Sequence, residues 1–291
     1  MLGPRKADAL TTRSDALVAL SKYIDPKSKD RVTVQSSSLE IVAAPGGRSA
    51  WGYDVVTVDG EPMVAMMILA NDDDLWSVTT VSLARTPSMK QIRSELKKVA
   101  VVPPAAKAPS KVDSRASDAV ERFQDGLLDQ GSWGDDLASS ADAVAIGPAA
   151  GDITHGKKDL KKLWKIRTDA NTRAAISGEI TAAITPDGQL AWVTAPVTRV
   201  ENDEDPVPLR VFAVFEKDDD KWKMIALQES VALDEPGAGA SFVKILPPAP
   251  KPPEPPPAAE ESQTQTKAKK SKKKKKKKKK KKAKVEIIDE E

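Results

Sequence analysis

The sequence predicts an α+β fold written twice in one chain, each copy placing its helices before a run of antiparallel strands. Residues 45–51 read Pro-Gly-Gly-Arg-Ser-Ala-Trp and residues 186–192 read Pro-Asp-Gly-Gln-Leu-Ala-Trp, the same turn-then-tryptophan signature in duplicate. Asp72-Asp73-Asp74-Leu75-Trp76 is answered by Asp218-Asp219-Asp220-Lys221-Trp222, so 141 residues separate the first pair of tryptophans and 146 the second. In the second copy, apolar residues at helical spacing precede four long runs of β-formers. A repeat of this length marks a duplicated domain rather than a solenoid.

Working backward, Leu2-Gly3-Pro4 falls on Ile146-Gly147-Pro148 and Asp8 on Asp152 at a spacing of 144, so the first copy is expected to lack its leading helix. Two readings stay open: the natural chain continues upstream of Met1, or the face left bare is covered by the second copy or by another chain. Strands rich in β-formers and Met are expected at 64–70 and 210–216. Gln91, Ile92, Leu96 and Lys97 belong to a helix expected over 90–99. Prolines 103, 104 and 109 then make 101–109 a linker without regular structure. In the second copy Val120, Phe123, Gly126, Leu127 and Leu128 mark the leading helix, with Asp113 or Ser114 as its cap. A turn at 131–134 and a short strand at 143–146 follow. Thr154-His155-Gly156 then opens a helix whose Leu160, Leu163, Trp164 and Ile166 share one face. Strands are expected at 174–185, 190–201, 207–217 and 222–233, divided by Asp, Gly and Pro turns. The layout is therefore an incomplete copy at 1–100, a Pro-rich linker at 101–112, a complete copy at 113–246 and a disordered tail at 247–291. Pro-dense 247–257 favours polyproline II, and 260–283 holds no large apolar residue to anchor a core.

Composition sharpens the division. Net charge is +3 overall, but residues 251–291 carry 16 Lys against 7 acidic residues, leaving the body with 30 basic and 36 acidic ones. An acidic body thus bears a cationic appendage. Cysteine is absent, which excludes disulfides, thiolate nucleophiles and Cys-ligated metals. Residues 1–20 are charged throughout, so they spell neither a secretory leader nor a span, and a cytoplasmic address is the expectation.

The Gly147-Pro148 turn, the His155-Gly156 helix start, four long strands, Gly-x-x-Ala-Trp at 188–192 and Trp-x-Met at 222–224 resemble the SnoaL-like branch of the nuclear transport factor 2-like superfamily. The resemblance spans about 113–235, and residues 2–84 look like the same domain without its leading helix. It implies a cone-shaped α+β fold, a curved antiparallel sheet wrapped on helices around a hydrophobic pocket in which relatives bind or isomerise small apolar ligands. The family's late strand often reads Trp-x-Ile or Val and then His-x-Ser. Here Trp222, Met224, Gln228 and Ser230 stand at those places, and Trp76, Val78 and Ser82 in the first copy. Glutamine replaces the histidine, and the two tyrosines, Tyr23 and Tyr53, have no match in the second copy. Both departures speak against isomerase chemistry.

His155, the single histidine, is the one weak catalytic candidate; its place before a helix could aim an imidazole at the cone mouth, although such residues more often cap. Asp135, Asp136, Asp142 and Asp152 read as caps and solvated loops. Phe123, Trp164, Trp192, Phe212 and Gln228 are the expected pocket lining, with Trp133, Trp222 and Phe215 adding aromatic area that would equally serve a core. The unbroken lysines of 272–282, Lys272, Lys276, Lys280 and Lys282 among them, would hold nucleic acid or an anionic surface by charge alone, or simply stay solvated. No cofactor or metal is expected. The reading is a small-ligand-binding or protein-interaction module tethered to polyanions by its tail, with a possible homodimer through the sheets; the rival is a small-molecule isomerase, cyclase or hydrolase working in the second pocket with His155 as base.

Overall fold

The computed structural model describes residues 33–96, 101–102, 110–129, 133–134, 142–202, 206–231 and 244–245, together with Lys27 and Leu137. All belong to one compact unit, Met1–Pro250, and the second unit, Lys251–Glu291, lies outside the described residues, as does the expected tail.

Four strands, β1 (Val34–Ala43), β2 (Ser49–Val58), β3 (Glu61–Asp72) and β4 (Leu75–Arg85), form an antiparallel meander. Helix α1 (Met89–Leu96) follows and buries Ile92. Strand β5 (Val101–Val102) and strand β6 (Ser110–Val112) come next. A 3₁₀ turn at Ser114–Ala116 then leads into helix α2 (Ser117–Leu128), strands β7 (Val144–Ile146) and β8 (Ile153–His155), and helix α3 (Gly156–Asp169). Strands β9 (Arg173–Ile176), β10 (Ile180–Ile184), β11 (Leu190–Val200), β12 (Val207–Asp218) and β13 (Lys221–Ser230) finish the second sheet. Its order is β6-β10-β11-β12-β13-β7-β8, with β9 also on β11, and β14 (Lys244–Ile245) pairs with β5.

Several sequence expectations change in detail. Val101–Val102, placed in a linker without regular structure, instead pair parallel with β14, since both residues precede the first proline of that stretch. Residues 110–112, assigned to the linker, instead run parallel to β10 as β6, because the prolines stop at 109 and leave these N–H groups free to pair. The single strand expected at 174–185 is two. Opposite the break stands Pro196, which has no N–H to give, and a Cβ on Gly178 would lie 2.5 Å from its ring. On α3, Leu160 and Trp164 are buried as expected, but Ile166 is 55% exposed and Arg167 takes its place on the inner side. Asp113 caps the 3₁₀ turn and not α2, accepting from the Arg115 N–H at 3.0 Å, while the N-cap of α2 is Ala116, which makes no side-chain bond.

The strand ends are built by turn chemistry, and the two meanders repeat it. Asp73 and Asp74 have φ of 48° and 64°, and Asp219 and Asp220 have 46° and 66°. Two consecutive positive φ values make the primed hairpin turn, whose twist suits the strands it joins, and Asp tolerates that region better than most side chains. Gly47 (φ 68°) and Gly188 (φ 74°) close the turns before β2 and β11, with Gly47 N–H donating to Ala44 and Gly188 N–H to Thr185. One extra residue interrupts β4 at Thr79, between the pairs Ile68–Thr80 and Leu69–Val78. Another interrupts β13 at Ile225, between Val214–Ala226 and Phe215–Met224. All these places correspond at the spacings of 141 and 146. Such bulges bend a strand and raise its twist.

Cross-strand neighbours share a face, so the register sorts the side chains. On the first sheet Tyr53, Met66 and Ser82 form a row, beside Trp51 and Ile68, and all are buried. On the second, Thr194, Phe212 and Gln228 form the matching row. These two faces meet: the Ser82 hydroxyl donates to Gln228 Oε1 at 2.6 Å, and Gln228 Nε2 donates to the Val64 carbonyl at 3.0 Å. One apolar core runs through both sheets, from Trp51, Met66 and Ile68 to Phe212, Val214 and Leu227.

Candidate functional site

The opposite face of the second sheet, carrying Val211, Phe215, Trp222, Met224 and Glu229, is the one that the helices line. Helix α2 buries Ala119, Val120, Phe123, Gly126 and Leu127 there, since apolar positions three and four apart form one stripe. The indole of Trp133 lies across Gly126, where a Cβ would sit 1.5 Å from its nitrogen, so only glycine admits it. Phe123 and Trp133 centroids are 6.1 Å apart, and Trp133 meets Trp164 of α3 edge-on at 5.4 Å. The Arg167 guanidinium stands 4.7 Å from the Trp164 ring, a cation–π contact.

Arg167 turns this aromatic wall into a charged floor. It donates twice to Glu229, at 2.9 and 2.7 Å, and Arg199 of β11 donates to the same carboxylate at 2.5 Å. The side chains are 10%, 12% and 4% exposed for Arg167, Arg199 and Glu229. Burial alone would raise the Glu229 carboxyl, but the two arginines outweigh it and hold it down at about 2. Burial would lower Arg199, and Glu229 with Glu201 reverses that. The buried trio carries one surplus positive charge, which Glu201 balances at 3.0 Å from Arg199 Nε. Beside it Asp152 is raised, first by desolvation and then by Glu229. Its Oδ2 would lie 1.8 Å from a Cβ on Gly147.

Chemically the trio is locked. A carboxylate fixed near 2 between two arginines neither gives nor takes a proton at neutral pH, so it serves as a fixed electrostatic floor. The indole N–H groups of Trp133 and Trp164 are buried and have no partner among the described residues. Buried polar groups are nearly always paired, so two orphaned donors on one wall call for an acceptor.

The sequence-predicted residues divide between two faces. Phe123 and Trp164 share the inner wall with Trp133. Phe212 and Gln228, and partly buried Trp192 one row along, lie on the opposite face against the first sheet, so the five do not line one pocket. His155 caps no backbone group with its side chain. It is exposed at the start of α3, and its Nε2 lies 3.5 Å from the Tyr53 hydroxyl of the first sheet. Lys272, Lys276, Lys280 and Lys282 lie outside the described residues, as do Asp135 and Asp136. Among the described residues no cluster of His, Asp and Glu could hold a metal, and no helix is long and apolar enough to cross a membrane. Sequence reading passed over Arg167, Arg199 and Glu229; the signal available was a basic residue inside the apolar stripe of α3, at Leu160, Trp164, Arg167 spacing.

With this geometry in place, residues 134–234 match the family model described as a SnoaL-like domain. No curated protein matches the chain. Among solved structures, a cystatin-like-fold protein of unknown function from Nostoc punctiforme is 21% identical over 40% of this chain and 88% of its own, at a TM-score of 0.31. An NTF2-like protein of unknown function from Pseudomonas putida is 17% identical over 40% and 87%, at 0.33. A candidate ketosteroid isomerase from Shewanella frigidimarina is 19% identical over 42% and 100%, at 0.33. These scores carry no function across.

Proposed function

We propose that this protein binds a small, mainly apolar ligand bearing a hydrogen-bond acceptor, in the SnoaL-like domain of its second half, without catalysing a reaction on it. One observation carries the reading: the indole N–H donors of Trp133 and Trp164, which have no partner among the described residues, are buried on the wall that ends in Arg167. The clamping of Glu229 between two arginines, and the engagement of the Gln228 amide by Ser82 and Val64, support binding over turnover. The shared spacing of turns, bulges and tryptophans supports a tandem duplication, with the first half an incomplete copy. The lysine run supports a tail that tethers the protein to polyanions by counterion release.

The test is a fluorescence and calorimetric screen of small apolar ketones, esters and carboxylates against the full chain. Trp133→Phe and Trp164→Phe keep ring area and remove the donor, so each is expected to weaken the best ligand about 5- to 30-fold, the net worth of a hydrogen bond to an unshared donor. Unchanged affinity in both variants refutes the proposed site. Turnover that disappears in His155→Ala would favour the isomerase, cyclase or hydrolase reading instead. Removing residues 263–291 should abolish retention on nucleic acid at low salt.

A further inference from the structure

The two halves touch through equivalent positions. Ser82 and Gln228, 146 residues apart, occupy the same place in their meanders and bond to each other across the contact. Around them Tyr53, Met66 and Ser82 form the row that corresponds to Thr194, Phe212 and Gln228, so one patch meets its own counterpart. Arg210, the counterpart of Val64, donates to the Leu83 carbonyl at 3.2 Å, while Val64 itself accepts from Gln228. A surface that meets its own equivalent is the mark of twofold pairing between subunits. The opposite faces diverge. The counterparts of Arg199 and Glu229 are Val58 and Leu83, which carry no charge, and Leu39, Ile41, Trp76 and Val78 are about half exposed where their counterparts Ile180, Ala182, Trp222 and Met224 are buried.

We propose that the first half is a built-in partner: the chain is a two-subunit assembly fused into one polypeptide, with its pseudo-twofold axis between Ser82 and Gln228, and the first half covers the back of the ligand-binding half without holding ligand itself. This rests on the duplication reading but not on the identity of the ligand. The polar pair suits the role. Gln228 has both ends of its amide satisfied across the contact, which fixes the register of two otherwise apolar faces that could slide.

A double-substitution cycle on the full chain decides it. Ser82→Ala, Gln228→Ala and the pair together are unfolded in urea, with solution mass followed by light scattering over a hundredfold range of concentration. The expected result is a monomer at every concentration and a double variant whose midpoint matches that of Gln228→Ala alone, because the shared bond can be lost only once. Met66→Asp, at the centre of the first-half face, should part the halves and free the second-half face to pair between chains, giving a dimer that grows with concentration. Additive midpoints, or a wild-type dimer that Met66→Asp dissolves, would overturn the proposal. If Met66→Asp fails to fold, the cycle still decides. A chain that passes the cycle and binds no ligand would sink the pocket reading and leave this one standing.

Discussion

Trp76 and Trp222 occupy the same position, one residue past the same acidic turn, and yet the first is 49% exposed and the second 6%. The first meander and the last three strands of the second sheet share turns, bulge and register, while the burial of their outward faces differs throughout. Backbone shape in this protein is therefore set by short-range signals, chiefly consecutive positive φ values and the matched extra residues of β4 and β13. Burial is set by what packs on the face: α2 lies against β9, β11 and β13 in the second half, whereas Trp76 stays half exposed.

The largest effect that would sharpen this comparison is expected at Glu229. Glu229→Ala leaves Arg167 and Arg199 buried without their carboxylate and should cost about 3–5 kcal/mol in urea unfolding, the usual penalty for breaking a buried pair from one side. The counterpart Leu83→Ala, half-buried and uncharged, should cost clearly less. A second expectation concerns acid. Because folding depresses the Glu229 carboxyl from its usual 4.5 to about 2, its contribution is complete above pH 4.5 and is lost as pH falls toward 2. Wild type should lose roughly 3 kcal/mol more than Glu229→Gln over that window. Parallel pH profiles of the two would refute the clamp.

Next in size is the tryptophan pair. Trp222→Ala should cost about 3–5 kcal/mol as a core truncation, whereas Trp76→Ala should stay within about 1 kcal/mol. Equal losses would mean that Trp76 is covered in solution and would break the comparison at its starting point. Smallest are the turn glycines. Gly47→Ala and Gly188→Ala each force a Cβ into the left-handed region and should each cost about 1–2 kcal/mol, equally in both halves. Unequal costs would show that the two turns are less alike than their φ angles.

Much of the architecture was legible because it is local. Turn residues, proline positions and period-two runs named three long strands of the second half and β3 of the first within a few residues, and the repeated tryptophan signatures located the corresponding turns. Faces were harder. Trp192, Phe212 and Gln228 look like pocket residues in a linear reading because strand alternation tells which residues lie together but not which side meets a helix. The bulge at Ile225 adds a shift that no composition signal announces. The Arg167–Glu229–Arg199 trio was hidden for a related reason: its members come from a helix and two strands, 62 residues apart at the widest, and each alone resembles an ordinary surface charge.

The extra residues Thr79 and Ile225 have a genetic consequence. Deleting either codon would leave a regular ladder in which every remaining side chain keeps its side, so hydrophobic pattern and hydrogen bonding would both survive on paper. What would go is the local kink, and with it the cupped form that lets β13 close over α2. In each half the local bend hangs on three nucleotides, those for Thr79, whose hydroxyl donates to the Ile68 carbonyl at 3.1 Å, and those for Ile225, which is buried in the core.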